Sequence, residues 1–171
     1  LHGNYQKVTV QKEFYMISEK IIQQALFKFY NRLNHKLIVP NIYLHYSEAD
    51  LITVQASGYV NEIEIKLTKA DFKRDFKKKK HRYMHEAKNH VNLNYPRLHT
   101  PNYFWFCIPK TLLPKIDCDI PDDYGMILMD ENGIYPEIYK RAKIMHRQKV
   151  TDKQVRQIAR SLMFKMWSVR E

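Results

Sequence analysis

The run Asn61-Glu62-Ile63-Glu64-Ile65-Lys66 alternates polar and apolar residues without a break. In a strand, that period of two puts Ile63 and Ile65 on a dry face and Glu62, Glu64 and Lys66 on a chemical one. A solvated β-face can also alternate Glu and Lys, so the surroundings matter. Upstream, Asp50 opens a second strand-like run, Leu51-Ile52-Thr53-Val54, with Gly58 in the turn between the two. Downstream comes a helical stretch dense in Lys and Arg. Asp50, Glu64 and Lys66 together are an acidic-acidic-basic set suited to metal-dependent phosphodiester cleavage. Two carboxylates hold a hard divalent cation through oxygen, and an ammonium beside them positions or activates water.

Composition narrows the classes. The 171 residues suit one domain with a real core, and a hydrophobic content of 44% fits a folded chain rather than a disordered one. No apolar run of about eighteen residues occurs, so no membrane partner is expected. Lys plus Arg number 29 against 18 acids, a net charge of +11, which favours a polyanion. Twelve Tyr interleave with the basic residues and tilt the choice from an anionic membrane surface toward nucleic acid. The two cysteines, Cys107 and Cys118, form no CxxC pair, so a zinc ribbon or disulfide framework is not expected and a cytoplasmic location is.

Outward from the central run, residues from about Thr9 to Asn34 predict a helix, interrupted near Ser18. Its buried stripe is Ile22, Ala25, Leu26, Phe29 and Leu33. Glu19 is either a first-turn acid favoured by the helix dipole or an added metal carboxylate. Leu37 to Tyr46, Asp50 to Gln55 and Tyr59 to Lys66 predict an antiparallel meander, with Pro40 pushing the first strand toward an edge or bulge. Thr68 and Asp71 form a capping box opening one long helix, with Phe72, Phe76, Tyr83 and Ala87 on its apolar face. Lys69, Lys73, Arg74, Lys77, Lys78, Lys80 and Arg82 fill the rest and are candidate phosphate-binding residues, against the plainer reading of a solvated basic helix. His81 and His85 stand four apart, but the adjacent lysines argue against a metal there.

Asn89 to Pro101 predicts a loop. Tyr103 to Ile108 reads as a strand covered on both faces and ended by Pro109, Lys110 to Lys115 as a helical turn, and Asp117 to Asp123 as an acidic surface loop. Gly125 to Met129 is a second buried strand. Asn132-Gly133 predicts a tight turn with Ile134 and Tyr135 returning as a hairpin. Arg141 to Lys149 is basic and irregular, and Thr151 with Gln154 caps a C-terminal amphipathic helix over about residues 151–168. No repeat, linker or second domain is evident, so residues 1–171 are expected to form one domain, with its core over about residues 14–140.

With Asp50 and Glu64-x-Lys66 in this α-β-β-β-α-β-β order, the chain resembles the PD-(D/E)XK nuclease superfamily. The runs Asn61 to Phe72, Tyr103 to Pro109 and Gly125 to Asp130 resemble those of its small MmcB-type DNA-repair proteins. The resemblance covers roughly Glu19 to Asp130, and Ala49 stands where the motif's proline would be. It implies an α/β fold with a PD-(D/E)XK nuclease-like core, a mixed central sheet flanked by helices, and an added C-terminal helix. It also implies an Mg²⁺- or Mn²⁺-dependent nuclease acting on DNA, with RNA left open, in repair or recombination. Asp50, Glu64 and the Ile65 carbonyl would hold the metal, with Glu19 as a further ligand and Lys66 acting at the water. The alternative is a nucleic-acid-binding module that keeps the fold without the chemistry. Nothing in the sequence specifies a homo-oligomer.

Overall fold

In the computed structural model, residues 17–44, 47–89, 100–116 and 120–168 are described, with only the backbone of 87–89. The described strands and helices are organised around one sheet. Helix α1 spans Glu19–Arg32 and is followed by strands β1 (Leu37–Tyr43), β2 (Glu48–Val54) and β3 (Val60–Ile65). Two helices come next, α2 (Lys69–Asp75) and α3 (Lys79–Asn89), then β4 (Tyr103–Pro109) and a 3₁₀ turn over Lys110–Lys115. Strands β5 (Gly125–Met129) and β6 (Pro136–Lys140) precede helix α4 (Asp152–Ser168).

The six strands form one mixed sheet whose spatial order is the order of the chain. Pairs β1–β2, β2–β3 and β5–β6 are antiparallel, while β3–β4 and β4–β5 are parallel. The parallel β3–β4 pair requires a crossover, and α2 and α3 supply it. Alternation then sorts the side chains. Leu51, Ile63, Ile65, Trp105, Cys107, Ile127 and Met129 share a core with Ile22 and Leu26 of α1. On the other face, Phe104, Phe106, Met126 and Leu128 pack with Phe72 of α2 and Met84 of α3. Farther along that face, Ile52, Val54 and Val60 meet Ile158 of α4. The result is helices on both sides of a mixed sheet.

Ends and turns follow local chemistry. Ser18, where an interruption was expected, is the N-cap of α1, its hydroxyl accepting from the Ile21 N–H; residues 9–16 of the expected helix lie outside the described residues. Thr68 Oγ accepts from the Asp71 N–H, and Thr151 and Gln154 bond reciprocally, so both expected caps form. Asp130 Oδ1 accepts from the N–H groups of Ile134 and Tyr135, and Gly133 takes a positive φ of 72°. That wide turn delays the return strand to Pro136, two residues later than expected. Gly125 lies opposite Trp105, where an added Cβ would fall 2.2 Å from the indole ring.

One expected element is corrected. The long basic helix breaks in two at Phe76–Lys78, where Lys77 N–H and Lys78 N–H bond back to the carbonyls of Arg74 and Asp75. Phe72 is buried and Phe76 half-buried, while Met84 rather than Tyr83 is the buried apolar residue among the described side chains of α3; the Ala87 side chain lies outside the described residues. The break lets Lys78 and Lys80 both reach the carboxylates of β3. Among the described residues, no helix is long and apolar enough to cross a membrane.

Candidate active site

The even-numbered face of β3 is chemical, as the alternation implies, but it is also dry. Glu62, Glu64 and Lys66 are 2%, 0% and 4% exposed. Carboxylates this deep must find cations or hydrogen bonds. Lys66 Nζ lies 2.7 Å from Glu64 Oε2, 3.4 Å from Asp50 Oδ2 and 3.1 Å from Asp75 Oδ1. Asp50 Oδ2 also accepts from the Ile65 N–H at 2.6 Å, which ties the end of β2 to β3. Asp50, Glu64 and Lys66 are therefore together in space. Their two carboxylate oxygens share one ammonium, which bounds their separation at about 6 Å.

The helix break brings two more lysines inward. Lys78 Nζ reaches Glu64 Oε2 at 3.1 Å and Asp75 Oδ1 at 2.6 Å. Lys80 Nζ reaches Glu62 Oε1 at 3.0 Å and Glu64 Oε1 at 2.5 Å, the latter as an ion pair without hydrogen-bond alignment. An unbroken helix spreads residues 78 and 80 about 200° apart, so both could not face the sheet. Asp75 is the hub on the helical side. Its Oδ2 accepts from His81 Nε2 at 2.8 Å, and His81 Nδ1 lies 2.8 Å from the Tyr124 hydroxyl. A neutral imidazole satisfies both contacts, with hydrogen on Nε2 and Tyr124 donating to Nδ1.

These contacts shape the titration of the cluster. Burial and the neighbouring Glu64 charge raise the Asp50 carboxyl to about 6, against the opposing pull of Lys66 and the Ile65 N–H. Burial works against charge on Lys66 and Lys80, but the surrounding carboxylates more than reverse it and push both above the ordinary lysine range. Burial likewise works against ionised Asp75, and His81, Lys80, Lys66 and Lys78 hold it well below the ordinary range instead.

A second layer holds Asp50 from the α1 side. The Gln23 amide donates to the Asp50 carbonyl at 2.9 Å, to Asn41 Oδ1 at 2.8 Å and to Glu19 Oε1 at 3.0 Å. Asn41 follows Pro40 with φ of 50°, and it drops out of the β1–β2 pairing opposite Asp50. The left-handed residue thus leaves the Asp50 carbonyl to Gln23. Glu19 is an exposed first-turn acid that reaches Asp50 through Gln23 and through its charge. Glu48 points to solvent, 3.7 Å from Lys165.

The other basic candidates divide. Lys73, Arg74, Lys77 and Arg82 are exposed on α2, the break and α3, and Lys69 is half-buried. Lys78 is half-exposed, with 41% of its side chain accessible, while Lys80 is buried among carboxylates and is not presented to a phosphate. Asp75, His81, Tyr124 and Gln23 were not anticipated as site residues. A charge count on the β3 face was the available signal, since two buried Glu and one Lys need more cations than β3 itself carries.

The oxygen donors suit a hard divalent cation. Asp50 Oδ1 accepts no hydrogen bond among the described residues, and its side chain is 21% exposed. Glu64 Oε1 and Asp75 Oδ1 are buried without aligned hydrogen-bond donors. Among the described residues, the carboxylates of Asp50, Glu62, Glu64 and Asp75 face the ammoniums of Lys66, Lys78 and Lys80. By donor type the residues fit such an ion, with Asp50, Glu64 and the Ile65 carbonyl as the candidate ligands. Among the described residues, no group of three or more His, Cys, Asp or Glu side chains is arranged to hold a metal.

No protein-family model and no curated protein matches the chain. A solved structure, the SPO1766 protein of unknown function from Silicibacter pomeroyi, is similar to it with a TM-score of 0.61 and 14% identity. The match covers 92% of this chain and 94% of that one, and at this identity it shows the shared fold alone.

Proposed function

We propose that this protein is a metal-dependent nuclease that hydrolyses phosphodiester bonds in DNA, on a PD-(D/E)XK-like core. One observation carries the reading. A single lysine ammonium, Lys66, is held between the carboxylates of Asp50 and Glu64 from neighbouring strands, beside exposed basic helices. Asp50, Glu64 and the Ile65 carbonyl would hold Mg²⁺ or Mn²⁺, which when bound supplies polarisation of the phosphate and a more acidic water. Lys66 places its positive charge where the attacking group develops negative charge, and its burial keeps that charge poorly screened. Asp75 anchors the same ammonium from the helical side. Lys69, Lys73, Arg74, Lys77 and Arg82 would hold the backbone by its phosphates, a term that weakens with salt.

A second reading, a binding module without catalysis, draws on the three ammoniums that already neutralise Glu64. Labelled DNA and RNA substrates incubated with Mg²⁺, Mn²⁺ or EDTA separate the two. The nuclease reading expects metal-dependent cleavage that Lys66→Ala slows by about a hundred- to a thousandfold in single turnover, with binding retained. Binding without cleavage in either metal, or a Lys66→Ala rate within about threefold of the parent, defeats it.

A further inference from the structure

A cleft of about 500 Å³ opens between α1 and β1, lined in part by Gln23, whose amide donates to the Asp50 carbonyl. Its apolar wall is Phe27, Ile38 and Pro40, and Lys20 and Lys28 stand with Gln23 on its polar side. Positions 20, 23, 27 and 28 recur at helical spacing, so one face of α1 supplies most of the lining. Phe27 is 51% exposed, whereas Ile22, Ala25, Leu26 and Tyr30 of the same stretch are buried. Among the described residues, neither Lys20 nor Lys28 pairs with a carboxylate.

We infer that this cleft binds one unpaired nucleotide of a nucleic-acid strand, its base against Phe27 and its phosphates at Lys20 and Lys28. The volume lies within the range of small-ligand sites. An exposed aromatic flanked by cations is the pairing that single strands use, with a base on the ring and the backbone on the charges. A purely apolar ligand would leave both ammoniums unanswered. A base still paired within a duplex has no free face to offer the ring, so the occupant must be single-stranded or flipped out of the stack. The placement also fits the site, because Gln23 lines the cleft and donates to the Asp50 carbonyl at 2.9 Å. That placement next to the cut rests on the nuclease reading, whereas the binding itself does not.

The test uses the full chain in EDTA at fixed salt, with a short fluorescein-labelled oligothymidylate and a blunt duplex of the same length. The single strand is expected to bind more tightly than the duplex. Phe27→Ala should weaken single-strand binding by about 5- to 150-fold, the effect of removing one base–aromatic stack. It should leave duplex binding and the melting temperature unchanged, and Phe27→Trp should restore the affinity. Single-strand affinity within about twofold of the parent in Phe27→Ala, or an equal loss for the duplex, overturns the inference. The two ideas fail separately. No cleavage with any metal, alongside an intact Phe27 effect, sinks the nuclease and keeps the subsite; metal-dependent cleavage without a Phe27 effect does the reverse.

Discussion

Replacing Lys80 with Met tests the buried charge cluster directly. The substitution keeps the aliphatic stem and removes an ammonium 3.0 Å from Glu62 and 2.5 Å from Glu64. At an effective dielectric of about 20, each such contact is worth roughly 5–7 kcal/mol of attraction before desolvation is subtracted. The net loss is limited by a cheaper escape, in which one carboxyl left behind takes up a proton. A free glutamic acid titrates near 4.3, so keeping one neutral at pH 7 costs about 3.7 kcal/mol. That agrees with the roughly 3–5 kcal/mol typical of breaking a buried pair. The sign with pH follows. A carboxyl whose folded pKa is raised destabilises most at high pH, so the deficit should shrink as pH falls, to about 1 kcal/mol at pH 5. Urea unfolding of the parent and Lys80→Met at both pH values measures it, with exposed Lys77→Met as a control expected within about 0.5 kcal/mol of the parent. Adding Glu62→Gln should recover much of the loss. A deficit below about 1 kcal/mol at pH 7, or one that does not shrink at pH 5, would refute the cluster as described.

Three further outcomes are expected. The Asp50 carboxyl, followed by NMR, should titrate with a midpoint of about 6. Its ionisation therefore disfavours the folded state as pH rises from about 4 through 6, and a midpoint near 4 would contradict the burial described. Replacing Lys73, Arg74 and Lys77 with Ala should flatten the salt dependence of DNA binding by about 0.9 log–log units for each phosphate no longer neutralised. An unchanged slope would show that these helices face away from DNA. Gly125→Ala should cost about 1–3 kcal/mol in urea unfolding, because its Cβ would meet the Trp105 ring, which Asn61 Oδ1 holds at 3.1 Å. A cost under about 0.5 kcal/mol would mean that the ring yields.

Much of this architecture was legible because period and turn chemistry are local. The strands at Tyr103–Pro109 and Gly125–Met129 and the caps at Thr68 and Thr151 all follow from neighbours in the chain. The convergence of Asp50, Glu64 and Lys66 was legible too, from strand alternation and motif spacing. What stayed hidden depends on distant partners. Residues 77–80 read as a uniform basic surface, and only the buried carboxylates of β3 explain why Lys78 and Lys80 turn inward and split the helix. Asp75 looked like an ordinary helical acid because its partners Lys66 and His81 lie outside its own helix, just past β3 and on α3. In the amphipathic C-terminal helix only Ile158 is buried, while Met163 and Met166 are exposed.

A sheet laid out in chain order also says something about how the molecule assembles. Strands β1, β2 and β3 pair with their sequence neighbours across short turns, so that meander closes at small entropic loss. The β3–β4 pairing must wait for residues 66–102 to be brought round, and the ionic cluster cannot complete until α2 and α3 settle over β3. Until α2 and α3 settle there, the carboxylates of β3 lack the ammoniums of Lys78 and Lys80. Interactions made after the rate-limiting step govern how fast a protein opens rather than how fast it forms. A charge cluster that closes after that step acts as a latch on the native state, setting its lifetime more than its speed of formation.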